Sequence, residues 1–238
     1  LVSSSAASDV YKRQLLTNDD GINSPGLQHL ASSLHSLGHP IAILAPLTEQ
    51  SAVGMKLTLR DDMAFEEHTD IAEKIRTDES VPLRAFSLDG SPCDCVIVAI
   101  DGGLRSLAPE IRPWLCISGI NRGPNLSIDV LHSGTVSAAR EASLYGLPSL
   151  SVSLATYSHQ DYSQSIEATL ALVERLSHLV RAEPSNILRP EGSRMRPIRG
   201  TGTNSLRSWF MQGNMFLNLN IPETVSYTHL RAHETATY

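Results

Sequence analysis

The chain has 238 residues, 41% of them hydrophobic, and a formal net charge of −6, enough apolar material for one large α/β domain or two small ones. No apolar run approaches the ~18 residues of a membrane helix, so a soluble chain is expected, and the acidic balance argues against a general binder of nucleic-acid polymers. Cys93, Cys95 and Cys116 form no CxxC pair, the histidines no HExxH pair, and the glycines neither GxGxxG nor a Walker loop, which removes the usual zinc-protease, disulfide, dinucleotide and nucleoside-triphosphate signatures. The cysteines read as core residues in a reducing compartment.

Residues 1–14, LVSSSAASDVYKRQ, carry no pattern leading into Leu15 and lack the basic and apolar regions of a signal peptide. Residues 225–238, VSYTHLRAHETATY, are similarly unpatterned. Both resemble translated adapter read-through and are set aside as foreign, leaving residues 15–224 as the expected domain.

Leu15 and Leu16 read as the end of a buried strand, and Pro25 and Gly26 followed by Leu27, Leu30, Ala31 and Leu34 as an amphipathic helix closed at Gly38. Between them lies TNDDGINSPG, with Asp19 and Asp20 in a strand-to-helix turn where Gly21 lets both carboxylates face one point. A hard cation would cancel their repulsion; the alternative is a polar turn in which Asn18 or Asp19 caps the helix. IAILA at residues 41–45 predicts a second strand ended by Pro46, then a loop carrying Ser51. An extended ribbon is expected over residues 57–65, and a charged surface excursion over residues 66–80.

Residues 83–88 predict a strand, and Gly90, Ser91 and Pro92 the start of a helix through Cys93, Val96, Ile97 and Ile100. WLCI at residues 114–117 predicts another strand, followed by SGINRGPN at residues 118–125 as a second polar turn. HSGTV then runs into a helix with Val136, Ala139 and Leu144 inward, followed by a strand at residues 150–154 and a long helix at residues 162–180. Residues 181–213, rich in Pro, Gly, Arg and Ser, read as a mobile loop before a last strand at residues 215–221. This alternation predicts a doubly wound, Rossmann-like three-layer α/β sandwich with a mainly parallel sheet.

In such a sheet the polar turns after successive strands gather at one edge, where ligands bind. Asn121 offers an amide oxygen there, Ser51 a hydroxyl and the two aspartates charged oxygens, a set suited to magnesium, manganese or calcium rather than zinc. Ser133, Gly134 and Thr135 stand at a helix start, where free N–H groups favour an anion that would also face Asn125. Plain N-capping by Ser133 and an ordinary Gly/Asn turn are the alternatives. Cation ligands and an anion cradle at one edge describe a phosphoryl site.

Together, LLTNDDG with Pro25 and Gly26, Ala45 and Pro46 with Ser51 and LTL at residues 57–59, GSPCDCV, SGINRGPNL and SGTVSAAREA resemble the SurE family of metal-dependent nucleotidases, over residues 15 to about 222. The resemblance implies one divalent ion, magnesium or manganese, on Asp19, Asp20, Ser51 and Asn121, and phosphate contacts from Asn125, Ser133, Gly134 and Thr135. It also implies a cytoplasmic homo-oligomer that hydrolyses nucleoside 5′- or 3′-monophosphates to nucleoside and phosphate. Leu47 replaces a usual acidic residue, Ala52 and Ser127 usual glycines, His132 an aromatic residue, and Ala142 a common glycine. Family members continue past the NLNIP strand, so the resemblance implies that the C-terminal part is missing.

Metal-assisted in-line attack by water is the expected chemistry, with Asp19 or Asp20 orienting the water and His132 a candidate acid or a surface residue. A covalent aspartyl-phosphate route would favour DxD over the adjacent DD found here. A non-catalytic nucleotide-binding fragment is the remaining alternative.

Overall fold

Strands buried on both faces need unbroken apolar runs, and the chain supplies them at regular intervals. The computed structural model describes residues 12–179, 203–211 and 213–222. Its strands are β1 (Gln14–Thr17), β2 (Ile41–Pro46), β3 (Phe65–Glu67), β4 (Leu83–Leu88), β5 (Leu115–Arg122), β6 (Ser149–Leu154) and β7 (Leu217–Ile221). The helices are α1 (Pro25–Ser36), α2 (Thr69–Ile75), α3 (Pro92–Val98), α4 (Leu104–Leu107), α5 (Asp129–His132), α6 (Gly134–Leu144), α7 (Ser163–Leu179) and α8 (Thr203–Met211).

The strands form one seven-stranded sheet in the order β3-β4-β2-β1-β5-β6-β7. All neighbours are parallel except β3 with β4. From β1 the chain builds outward through β2 and β4, then returns to the other side of β1 to start β5. The order therefore reverses between β1 and β5, and a crevice opens there at the carboxyl ends of the strands.

Alternation divides the core into two. Leu16, Ile43 and Ile117 pack with α1, α2, α7 and α8 on one face, while Leu15, Ala42 and Cys116 pack with α3, α4 and α6 on the other. Helices on both faces make the expected doubly wound three-layer sandwich. All three cysteines are buried and free. Among the described residues, no helix is long and apolar enough to cross a membrane.

Several expectations need correction. Gln14 is buried and opens β1, pairing with Ile41 and Leu115, so the first strand reaches into the segment set aside as foreign. Lys12 is packed as well, its Nζ donating to the Ser177 carbonyl at 2.6 Å. Of the expected ribbon only Phe65 is in a strand, β3, which runs on into the charged excursion to Glu67. The charged excursion contains α2, whose Ile71, Ala72 and Ile75 join the core, because one turn of apolar spacing is enough to bury one side of a short helix. β5 runs through Asn121 to Arg122, so Asn121 ends a strand rather than lying in a turn. Leu144 is 37% exposed instead of facing inward, since it stands at the last position of α6. α8 occupies part of the expected mobile loop and buries Phe210. Residues 180–202, most of the set-aside N-terminal segment and the whole of residues 225–238 lie outside the described residues.

Gly26 sets how closely α1 approaches β5. A Cβ there would overlap the Ile120 carbonyl oxygen and come within 3.2 Å of Tyr162 Cε1. Gly26→Ala should lower unfolding stability by about 1–3 kcal/mol, as overpacking does. A reduced urea midpoint is expected; an unchanged one would contradict this close packing.

Candidate active site

The turn after β1 is built by its own polar groups. Asn18 Nδ2 donates to the Gly21 carbonyl at 3.0 Å and to Ser24 Oγ at 2.6 Å. Asn18 thus organises the turn, and the two aspartates are directed elsewhere. Gly21 has φ 90°, and a Cβ on it would come 3.3 Å from the Thr48 carbonyl carbon. That bare backbone lets the loop after β2 lie close against the turn. Gln50 N–H donates to the Asp19 carbonyl at 2.7 Å and Ile22 N–H to the Pro46 carbonyl at 2.9 Å.

Asp19 is buried and faces the start of α6. Thr135 Oγ1 donates to its Oδ1, and the backbone N–H groups of Gly134 and Thr135 also donate to its carboxylate. A Cβ on Gly134 would stand 2.7 Å from Asp19 Cβ, so only glycine admits the carboxylate here. Burial raises the Asp19 pKa, and these hydrogen bonds partly oppose it. Asp20 is half-buried. Burial first, then the Asp19 charge beside it, pushes its carboxyl up to about 7 against the Arg122 N–H that it accepts.

Asn121 Nδ2 donates to the Gly123 carbonyl at 2.8 Å, which commits its amide nitrogen and makes Oδ1 the atom that could hold a cation. Ser51 lines the same cleft but is exposed, with Oγ donating to Glu49 Oε1 at 2.7 Å. Asn125 is fastened by Nδ2 to Ser153 Oγ at 2.9 Å and by its N–H to Asn220 Oδ1 at 2.8 Å. Ser133 caps α6, its Oγ accepting from Val136 N–H at 3.1 Å. The start of α6 is therefore already turned toward an anion, the Asp19 carboxylate.

These groups border a cleft of about 660 Å³. Asp19, Asp20, Ser51, Asn121, Asn125 and Ser133 line it, whereas Gly134 and Thr135 sit behind Asp19 as its supports. The donors suit a hard cation. Among the described residues no group of three or more His, Cys, Asp and Glu is placed to hold a metal, so a cation would need neutral oxygens beside the aspartates.

Sequence reasoning passed over Arg122, Glu49, Tyr157 and Tyr162, which also line the cleft. Arg122 lay inside the SGINRGPN segment already singled out. The two tyrosines follow β6, and its carboxyl end was a fourth strand end at the same edge and the signal for them.

Two loop residues adopt the left-handed region, Ala52 at φ 57° and Ser127 at φ 54°. These are the positions where glycine was expected from the resemblance, and a side chain there costs about 1 kcal/mol. Ala52→Gly and Ser127→Gly should each raise stability by up to about 1 kcal/mol. A lower thermal midpoint in either variant would contradict this.

Asp20 supplies a second test. Its pKa lies above the 3.8 of an ordinary aspartate, so ionisation costs more in the folded state and its penalty grows from about pH 4 to about pH 7. Metal-free Asp20→Asn should melt higher than the parent above pH 7, an advantage that vanishes below about pH 4. Equal melting temperatures at pH 8 would contradict the raised pKa.

The family described as "Survival protein SurE" matches residues 14–237. The 5′-nucleotidase SurE of Syntrophotalea carbinolica is 39% identical over 226 residues, covering 92% of this chain and 80% of the relative. The 5′-nucleotidase SurE of Synechococcus elongatus is 40% identical over 166 residues, covering 70% of this chain and 60% of the relative. The crystal structure of the SurE protein from Aquifex aeolicus aligns with TM-score 0.60 and 29% identity, covering 89% of this chain and 66% of that one. The chain thus spans about 60% of one curated relative's length and 80% of another's.

Proposed function

The chain belongs to the survival protein SurE family, and from that premise we propose that it is a metal-dependent phosphomonoesterase that hydrolyses nucleoside 5′- or 3′-monophosphates to nucleoside and phosphate. The observation carrying this reading is the Asp19 and Asp20 pair, which lines the cleft together with Asn121. Relatives named 5′-nucleotidases support the substrate class.

The donor set fits one divalent ion, magnesium or manganese, held by Asp19, Asp20 and Asn121 with Ser51 as a further oxygen. When bound, that ion supplies positive charge against the phosphoryl oxygens and lowers the pKa of a water. Asp19 is fixed in orientation by Thr135 and the α6 N–H groups. Asp20, ionised once the ion is held, orients the attacking water. Asn125 and Ser133 border the space for the phosphate, and the Arg122 guanidinium adds positive charge at the rim. His132 lines the cleft from α5 and is the candidate donor to the leaving oxygen. The exposed Leu126, Ile128 and Leu131 beside this site offer an apolar surface for homo-oligomer contact.

Phosphate release from a panel of nucleoside monophosphates, with magnesium or manganese added, tests the reading. Excess chelator should abolish release, and Asp20→Asn should lower kcat at least about a hundredfold. Undiminished release under either condition would overturn the mechanism, and nucleotide binding without any release would leave a binding protein.

A further inference from the structure

Tyr157 lines the cleft with Asp19, Asp20 and Asn121, yet it is 67% exposed. An aromatic side chain that open is normally free to swing, and this one is held. Its ring rests on Gly123, where an added Cβ would collide with the ring atoms Cε1, Cζ and the hydroxyl. Gly123 is itself fixed, with φ 113° and its N–H donating to the Leu154 carbonyl at 2.9 Å. Arg122 Nη2 donates to the Tyr157 carbonyl at 3.1 Å, tying the Tyr157 backbone to the end of β5. The hydroxyl end of the ring is therefore held against bare backbone, while most of the side chain stays open to the cleft.

Position adds to this. Gly123 is two residues beyond Asn121, and the Asn121 side chain donates to the Gly123 carbonyl at 2.8 Å. The ring is thus tied to the same strand end that carries Asn121 into the cleft. A cleft of about 660 Å³ falls in the range that holds an organic ligand of nucleotide size. Every nucleobase has a π face, and a fixed tyrosine ring stacks on it at little entropic cost.

We propose that Tyr157 is a stacking shelf for the nucleobase, which makes the site prefer a phosphomonoester bearing a planar base over a bare sugar phosphate. The inference rests on the phosphomonoesterase reading above and adds a specificity-determining residue to it.

The test compares adenosine monophosphate with ribose 5-phosphate in the parent, Tyr157→Ala and Tyr157→Phe. Tyr157→Ala should lose at least about tenfold more kcat/KM on the nucleotide than on the sugar phosphate, mainly through KM, while Tyr157→Phe keeps the parent's preference. Equal losses on both substrates, or no loss on the nucleotide, would overturn the shelf. Adenosine binding, followed by saturation-transfer NMR, separates this inference from the catalytic reading because it needs no phosphate release. Weaker adenosine binding in Tyr157→Ala but not in Tyr157→Phe supports the shelf even in a chain that releases no phosphate. Failure of the parent to bind adenosine overturns it even if phosphate release is found.

Discussion

Two adjacent carboxylates held partly out of water at the end of a parallel strand form the constraint around which this site is arranged. Asp19 and Asp20 repel one another, and burial raises the cost of charging each. The fold answers the two differently. Asp19 receives a hydroxyl and two backbone N–H groups at the start of α6, and Asp20 receives one N–H at the end of β5. One carboxylate is thus supported by a helix terminus, while the other keeps a pKa near neutrality. A site left in that condition favours a cation, because a cation relieves both the repulsion and the desolvation.

The sheet topology makes the arrangement possible. Reversal of strand order between β1 and β5 opens the crevice into which the β1 turn, the end of β5 and the start of α6 all project. Bare backbone then brings these segments closer than side chains would permit. Gly21 lies against Thr48, Gly134 against Asp19, and Gly26 against Ile120. The loop after β2 is held by Gln50 to Asp19 and by Gly54 N–H to the His132 carbonyl at 2.8 Å. Displacement of one of these segments would carry along the groups that orient the aspartates.

Much of the framework was legible because burial leaves a simple trace. IAILA and WLCI could hardly be other than interior strands, and GSPCDCV announced a helix start that the structure realises as a capping box between Ser91 and Asp94. What escaped reading depended on contacts between distant residues. Gly119 looked like a turn residue but lies inside β5, where a Cβ would overlap the Val152 carbonyl. α2 hid among charges because seven residues carry too little periodicity to stand out. In sequence the start of α6 looks open to an external anion, yet in the fold it faces Asp19, 116 positions from Thr135. Tyr157 carries no local motif beyond its place after β6, and the packing of its ring on Gly123 sets it apart from the other residues of that loop.

If the charge pair governs the site, binding of a cation must displace a proton from it. Calorimetric titration of manganese into metal-free protein in buffers of different ionisation enthalpy counts that proton directly. Below pH 7, where Asp20 is still largely protonated, binding should release close to one proton, falling toward none above about pH 8. Binding that releases no proton at pH 6, or no binding at all, would contradict the view that a cation resolves the Asp19 and Asp20 repulsion.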